Sequence, residues 1–346
     1  MLKKILAIQI AFATICTVSA QDSTKKSNPL VISGSVDAYY RYNFEQSSAA
    51  DFNNKTSFTK SQNSFELGMA SIKLDHTIGK VSATADLGFG RRAAEFSYND
   101  GASLASVKQM YVSYAATDKV KFTLGKWATH VGYELVDAIS NRNYSMSYMF
   151  SYGPFFHTGL KADIAIGKKS ALMIGVANPT DQSTTTSPTK VLLAQFSTAT
   201  KNDKLKAYIN YQGGSSPLLK YNQFDVVLMG AISSKFSVNY DGSLYSLNSG
   251  DVKSSWFGSA LYFNYDPTDK YGLTLRAEYF DDKNGVATIG SDILAITLSA
   301  NYKLGPLTII PELRLDNASK TAIFEKSNGT STKGATTAVV AAVYKF

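Results

Sequence analysis

The chain has 346 residues, 35 Lys and Arg against 27 Asp and Glu, a formal charge of +8 and a single cysteine. The basic excess is scattered without any Lys/Arg block, which excludes a nucleic-acid-binding arm, and one cysteine excludes a disulfide framework. With 21 Tyr and 19 Phe against 8 Pro, the composition favours β-structure.

The first element is "MLKKILAIQIAFATICTVSA", in which Lys3 and Lys4, an apolar stretch from Ile5 to Ile15 and small closing residues predict a secretory signal cleaved after Ala20. The apolar stretch is short for a bilayer span and is followed by Gln21 and Asp22. Cys16 leaves with the signal, and loss of the two lysines lowers the charge to +6. Residues 21–29 read as a short periplasmic segment. Beyond them no run of 18 apolar residues occurs, so helical membrane spans are excluded.

From Leu30 the pattern has period two. In "LVISGSVDAYYRYNF", Leu30, Ile32, Val36, Ala38, Tyr40 and Tyr42 share one face, while Ser35, Asp37, Tyr39, Arg41 and Asn43 share the other. "SFELGMASIKLDH" slips parity near Met69 to Ile72, which predicts a bulge. "KVSATADLGFGR", "YGLTLRAEYF", "DILAITLSANYKLG" and "GPLTIIPELRLD" repeat the alternation in segments of about 9 to 14 residues, long enough to cross a bilayer as tilted strands. Connections alternate between short turns ("IGK", "TDK", "GKK", "TKND", "SSK", "DPTDK", "LGP") and longer stretches. The longer ones are expected at 45–63, 92–103, 128–153, 178–188, 213–221, 247–253, 281–291 and 317–334. The segments between them number sixteen, so residues 30–346 predict an all-β fold, a transmembrane antiparallel β-barrel with a water-filled lumen.

One stretch refuses the alternation: "GKWATHVGYELVDAISNRNYSMSYMFSYGPFFHTGL", from Gly125 to Leu160. It is too long for an ordinary connection and too aromatic for a disordered one. It lies between strands 5 and 6, the place where, by analogy, general porins fold a loop into the channel, so a loop folded into the barrel with its tip near mid-lumen is expected. Tyr133, Glu134, Asp137, Asn141, Arg142, Asn143, Tyr144 and Tyr148 would form the constriction.

Gly132-Tyr133-Glu134, then Asn141, Asn143-Tyr144-Ser145, Pro154 and His157-Thr158-Gly159 resemble the signature of a beta-barrel porin family of Bacteroidetes outer membranes. Met146 stands where that signature has Arg. The resemblance implies an outer-membrane pore.

Parity points Arg41, Lys121, Lys161, Lys204, Lys206, Arg276, Lys303 and Arg314 inward, with Asp37, Asp86, Asp163, Asp225, Asp241, Glu278 and Glu312. The expected pore-lining set is Arg41, Lys161, Lys206, Arg276, Glu278, Glu312 and Arg314, a mixed-charge lumen suited to small polar solutes. His76, His130 and His157 are scattered, and none has a serine two residues on, so no catalytic or metal site and no cofactor is expected. His157 reads as a structural residue at the loop's foot. The last strand, "TTAVVAAVYKF", ends on Phe346, an aromatic of the kind that marks a client of the barrel-assembly machinery. Function is thus expected to be passive diffusion of small hydrophilic solutes across an outer membrane. A substrate-specific nutrient channel and a closed structural or adhesive barrel are the alternatives, and the sequence leaves a homo-oligomer open.

Overall fold

The computed structural model describes residues 28–216, 219–282 and 284–346, so the expected signal peptide and most of the 21–29 segment lie outside the described residues. Period-two alternation carries β1 (Val31–Asn43), β2 (Ser64–Ile78), β3 (Val81–Phe89), β4 (Val107–Ala115), β5 (Val120–Ala128) and β6 (Phe156–Ala165). It continues through β7 (Ser170–Ala177), β8 (Val191–Ala199), β9 (Leu205–Ser215), β10 (Lys220–Ala231), β11 (Phe236–Ser249) and β12 (Val252–Tyr265). Then follow β13 (Tyr271–Asp281), β14 (Asp292–Leu304) and β15 (Leu307–Ala318). A small hairpin of β16 (Phe324–Glu325) and β17 (Ser331–Thr332) precedes β18 (Gly334–Lys345).

All pairings are antiparallel, and β1 pairs with β18, so sixteen strands close a barrel from which only the β16–β17 hairpin stands apart. Closure leaves no edge unpaired, which a strand in lipid requires because no water is there to satisfy its backbone. The side chains are arranged to match. Phe65, Leu67, Leu124, Leu160, Ile174, Leu192 and Phe224 project outward and are exposed, while Asp37, Arg41, Asp86, Asp225, Asp241, Arg276 and Arg314 point inward and are buried. That polarity is inverted relative to a soluble protein and fits a lipid-facing belt around a polar interior.

The parity slip in β2 is a bulge. Register shifts between Val36 and Ala38, leaving Gly68 and Met69 opposite Asp37, whose carboxylate accepts the Met69 amide at 3.2 Å. A second register shift, between Asp86 and Leu87, leaves Lys108 without a partner on β3, and its ammonium meets inward-facing Asp86 at 3.0 Å.

Seven short turns join strands at the end where the chain also begins and finishes; the opposite end carries the long connections. Two of those expected to be long are tight instead. β9 and β10 extend to leave only residues 216–219 between them, and β11 and β12 are joined through Gly250 and Asp251, with Gly250 at φ 60° supplying the left-handed turn residue. Lys204 lies in the turn before β9, not on the inner wall as parity suggested. Of the long connections, 90–106 holds a short helix, α1 (Arg91–Phe96), and 129–155 holds another, α2 (Tyr148–Tyr152).

Candidate pore constriction

The connection between β5 and β6 is anchored at its feet. Trp127, at the end of β5, packs among Met173, Ala177, Val191 and Leu193, and the Thr129 hydroxyl lies 3.1 Å from His157 Nε2. His157 thus sits at the loop's foot, while His76 lies on β2. His130 Nε2–H donates to the Tyr211 carbonyl at 3.1 Å, and burial keeps its ring neutral, its pKa lowered to about 4.

From there the chain crosses the interior and is gripped by inward-facing carboxylates. Gly132, at φ 90°, gives its amide to Asp225 at 3.0 Å, and Tyr133 gives its amide to Asp241 at 3.1 Å. The Tyr133 ring rests on Tyr262 with centroids 4.4 Å apart, and burial pushes its hydroxyl up to about 12. Glu134 accepts Arg276 Nη1 at 2.6 Å on one oxygen and the Ser147 amide at 2.7 Å on the other, joining both arms of the loop to the wall. Asp137 reaches the Lys108 ammonium at 2.6 Å. Asn141 exchanges side-chain bonds with the Leu135 backbone and closes a small inner loop.

One side chain of the loop reaches as far as the short-turn end. Arg142 makes a bidentate pair with Asp266, at 2.8 and 3.1 Å, in the short turn between β12 and β13, and donates to Thr274 at 2.6 Å. Asn143 reaches Ser299 at 2.7 Å. Arg142 thus extends toward the short-turn end, whereas Asn143 and Tyr144 bond Ser299 and Glu312, midway along β14 and β15. The chain then climbs. Glu312 accepts the consecutive amides of Tyr144 and Ser145 at 2.7 and 3.1 Å; Glu278 accepts those of Tyr148 and Met149 at 3.0 and 2.9 Å, capping α2 beside its Ser147 N-cap. The Tyr144 hydroxyl donates to Asp37 at 2.5 Å and that of Tyr148 to Asp316 at 3.0 Å. Met146 is buried with Phe58, Phe96, Val136, Phe150, Phe155 and Phe156, so this position packs the loop and offers no charge.

These contacts change what the inward-facing residues do. Arg41, Arg276, Glu278, Glu312 and Arg314, expected to line the water path, face inward but are covered: each is at most 5% exposed. A gap of about 10 Å³ beside Arg41, Glu312 and Arg314 is barely the space of one water. The 129–155 loop, lying mainly against β10–β15, β18 and β1, covers Arg276, Glu278 and Glu312. The connection between β1 and β2 covers Arg41 through the Phe52 and Ser61 carbonyls and meets Arg314 at Thr56. Lys161 and Lys206, on the opposite wall, are only partly buried. At the outer mouth, Asp51, Asn54, Lys55, Lys60 and Tyr152 line a cavity of about 380 Å³.

Sequence reasoning missed Arg92 and Lys108. Arg92 on α1 is buried, donates to the carbonyls of Val136 and Tyr144 at 3.2 Å each, and lies 4.8 Å from the centre of the Phe58 ring. It fell in a stretch read as a plain connection. Lys108 was hidden by its bulge, which breaks the parity on which the assignment rested.

A closed barrel with a loop drawn inside is the geometry of a channel wall, and residues 29–346 match the model of the family described as "Putative beta-barrel porin-2, OmpL-like". The chain belongs to that family. A porin of this family resides in the outer membrane of a Gram-negative bacterium. The porin is similar in fold to the outer membrane channel DcaP of Acinetobacter baumannii, with a TM-score of 0.64 at 12% identity, covering 92% of this chain and 97% of that one. It is similar to an anion-selective porin from Comamonas acidovorans, with a TM-score of 0.63 at 11% identity over 93% and 100% of the two chains. A loop-deletion form of OmpT from Vibrio cholerae gives 0.61 at 12% identity over 92% and 99%. No curated protein matches the sequence.

Proposed function

We propose that the protein lets small hydrophilic solutes diffuse passively across the outer membrane, through a lumen that the 129–155 loop narrows from inside. The reading includes export by the N-terminal signal, assembly of the barrel through its C-terminal strand, and a Bacteroidetes source. The observation that carries it is asymmetry within the barrel. The loop is bonded mainly to the β10–β15, β18 and β1 wall, with Asp137 on Lys108 of β4 and its foot at His130 on β8 and β9, whereas on the wall of β5 and β6 the inward-facing Lys121 and Asp163 keep 41% and 33% of their side-chain surface. Solutes would pass along that second wall, and the loop would set the width left to them.

Conductance of the purified protein in a planar bilayer tests this, with wild type compared to a variant in which residues 134–150 are replaced by a short Gly-Ser linker. Wild type should give discrete conductance steps and the shortened loop larger ones. A silent wild type beside a conducting variant would establish the closed-barrel alternative.

A further inference from the structure

We propose that the pore prefers small anions, inorganic or carboxylate, and that lysines of the barrel wall set this preference, with Arg142 of the loop contributing little. The inference rests on the diffusion reading above and adds the class of solute. It follows from where each sign of charge is left in contact with water.

The inward-facing acids are largely engaged. Asp37 accepts the Tyr144 hydroxyl and the Met69 amide, Glu278 and Glu312 each accept two consecutive loop amides, and Asp316 is paired with Arg314 at 2.8 Å. Asp225 accepts the Gly132 amide and Asn210, and Asp241 accepts the Tyr133 amide. All six are buried, so they are shielded from permeating ions, although one oxygen each of Asp225 and Asp241 has no donor among the described residues.

Cations are distributed differently. Lys121 and Lys161, on β5 and β6, share the single carboxylate of Asp163 at 3.7 and 3.5 Å. Lys206, the second residue of β9, and Lys303, near the end of β14, have no carboxylate partner among the described residues. Lys73, on β2, is paired with Asp75 at 3.1 Å, and both keep about a third of their surface. These side chains lie in the half of the barrel nearer the short turns. Five lysines there face two carboxylates, Asp75 and Asp163. Arg142 adds little net field, because its guanidinium is neutralised by Asp266.

An uncompensated positive rim inside a low-dielectric wall concentrates anions and repels cations, and the field acts on any ion that passes within a Debye length. At about 0.1 M salt that length is about 10 Å, so the effect should be strong there and fade near 1 M, where it is about 3 Å.

The experiment is the reversal potential across a KCl gradient, for wild type, Lys206→Glu, the triple variant Lys121→Glu/Lys161→Glu/Lys206→Glu, and Arg142→Glu. Lys206→Glu breaks no ion pair, so its folding is not at stake. Folding of each protein is checked by heat-modifiable migration in an SDS gel. Wild type should pass chloride over potassium by at least about threefold at low salt, declining as salt rises. Lys206→Glu should lower that ratio, and the triple variant should invert it. Arg142→Glu should shift it less than Lys206→Glu. A cation-selective or unselective wild type, or a ratio unmoved by Lys206→Glu in folded protein, overturns the proposal while leaving the diffusion reading intact. Absence of conductance from wild type and shortened-loop protein alike would remove both.

Discussion

Glu134 is the side chain on which the loop's attachment turns, since it holds Arg276 of the wall with one oxygen and the returning arm of the loop with the other. Both partners are almost fully buried, Arg276 at 0% and Glu134 at 3% side-chain exposure. Removing one charge from such a pair leaves the other without compensation, a loss of about 3–5 kcal/mol, whereas replacing both with apolar groups of similar size can be close to neutral. Arg276→Met should therefore lower the urea midpoint of the detergent-folded barrel sharply, and Arg276→Met/Glu134→Leu should recover much of it. Additive losses in the double variant would show that the pair acts through separate neighbours.

Asp181 offers a second residue-scale test, in the external connection between β7 and β8. Its carboxylate accepts the amides of Phe155 and Phe156 at 2.7 and 3.0 Å and the Tyr98 hydroxyl at 3.2 Å, binding three connections together. Burial raises its pKa to about 7, against the lowering effect of these donors and of nearby Lys126. Since the folded state binds the proton more tightly than a free carboxyl near 3.8, this group's contribution to stability is complete below that pH and declines as pH rises through about 7. His130, lowered to about 4, acts in the opposite sense: its contribution is complete above 6.5 and lost as pH falls through about 4. Relative to Asp181→Asn, wild type should become more susceptible to limited proteolysis in the external connections between pH 5 and pH 8, with rates normalised to a denatured control. A constant ratio across that range would assign the clamp no titrating role.

At the scale of elements, the seam between β1 and β18 combines backbone closure with a terminal aromatic. Gly34 and Phe346 exchange both backbone hydrogen bonds at 3.0 Å. A Cβ on Gly34 would fall 2.3 Å from the Ser71 carbonyl oxygen and 2.5 Å from the Phe346 ring, so glycine is required there by close approach. Gly34→Ala and deletion of Phe346 should each reduce the heat-modifiable form recovered from outer membranes. Gly101→Ala, where nothing lies within 4 Å, should not. The strands themselves were legible because a wall with lipid on one face and polar groups on the other must alternate strictly, as in Asp37, Tyr39, Arg41 and Asn43 against Val36, Ala38 and Tyr40. The inner loop was visible as an interruption of that rule. Its partners were not, because the match of Tyr144 with Glu312 or Arg142 with Asp266 spans more than a hundred residues and leaves no local pattern. Lys108 shows the same limit at short range, since one unpaired residue reverses the parity that assigned its neighbours.

For the whole molecule, β1 and β18 meet with Ser35 opposite Lys345, while every other pairing in the barrel joins strands that follow one another in the chain, β15 and β18 across the β16–β17 hairpin. Folding therefore divides into two kinds of event. Hairpins such as β2–β3 and β11–β12 close small loops and can zip in succession, each adding its strand to the last at little entropic cost. Joining the first strand to the final one is the single step that must wait for the entire chain. A nascent chain lacking β18 would keep two unsatisfied edges, on β1 and on β15, and could neither seal itself from lipid nor avoid pairing with another copy. The loop gives completion a further consequence, because Tyr144 needs Asp37 from β1 and Glu312 from β15 together. The interior can settle only after the wall has joined, so slow loop ordering should follow closure in time and be rate-limited by it.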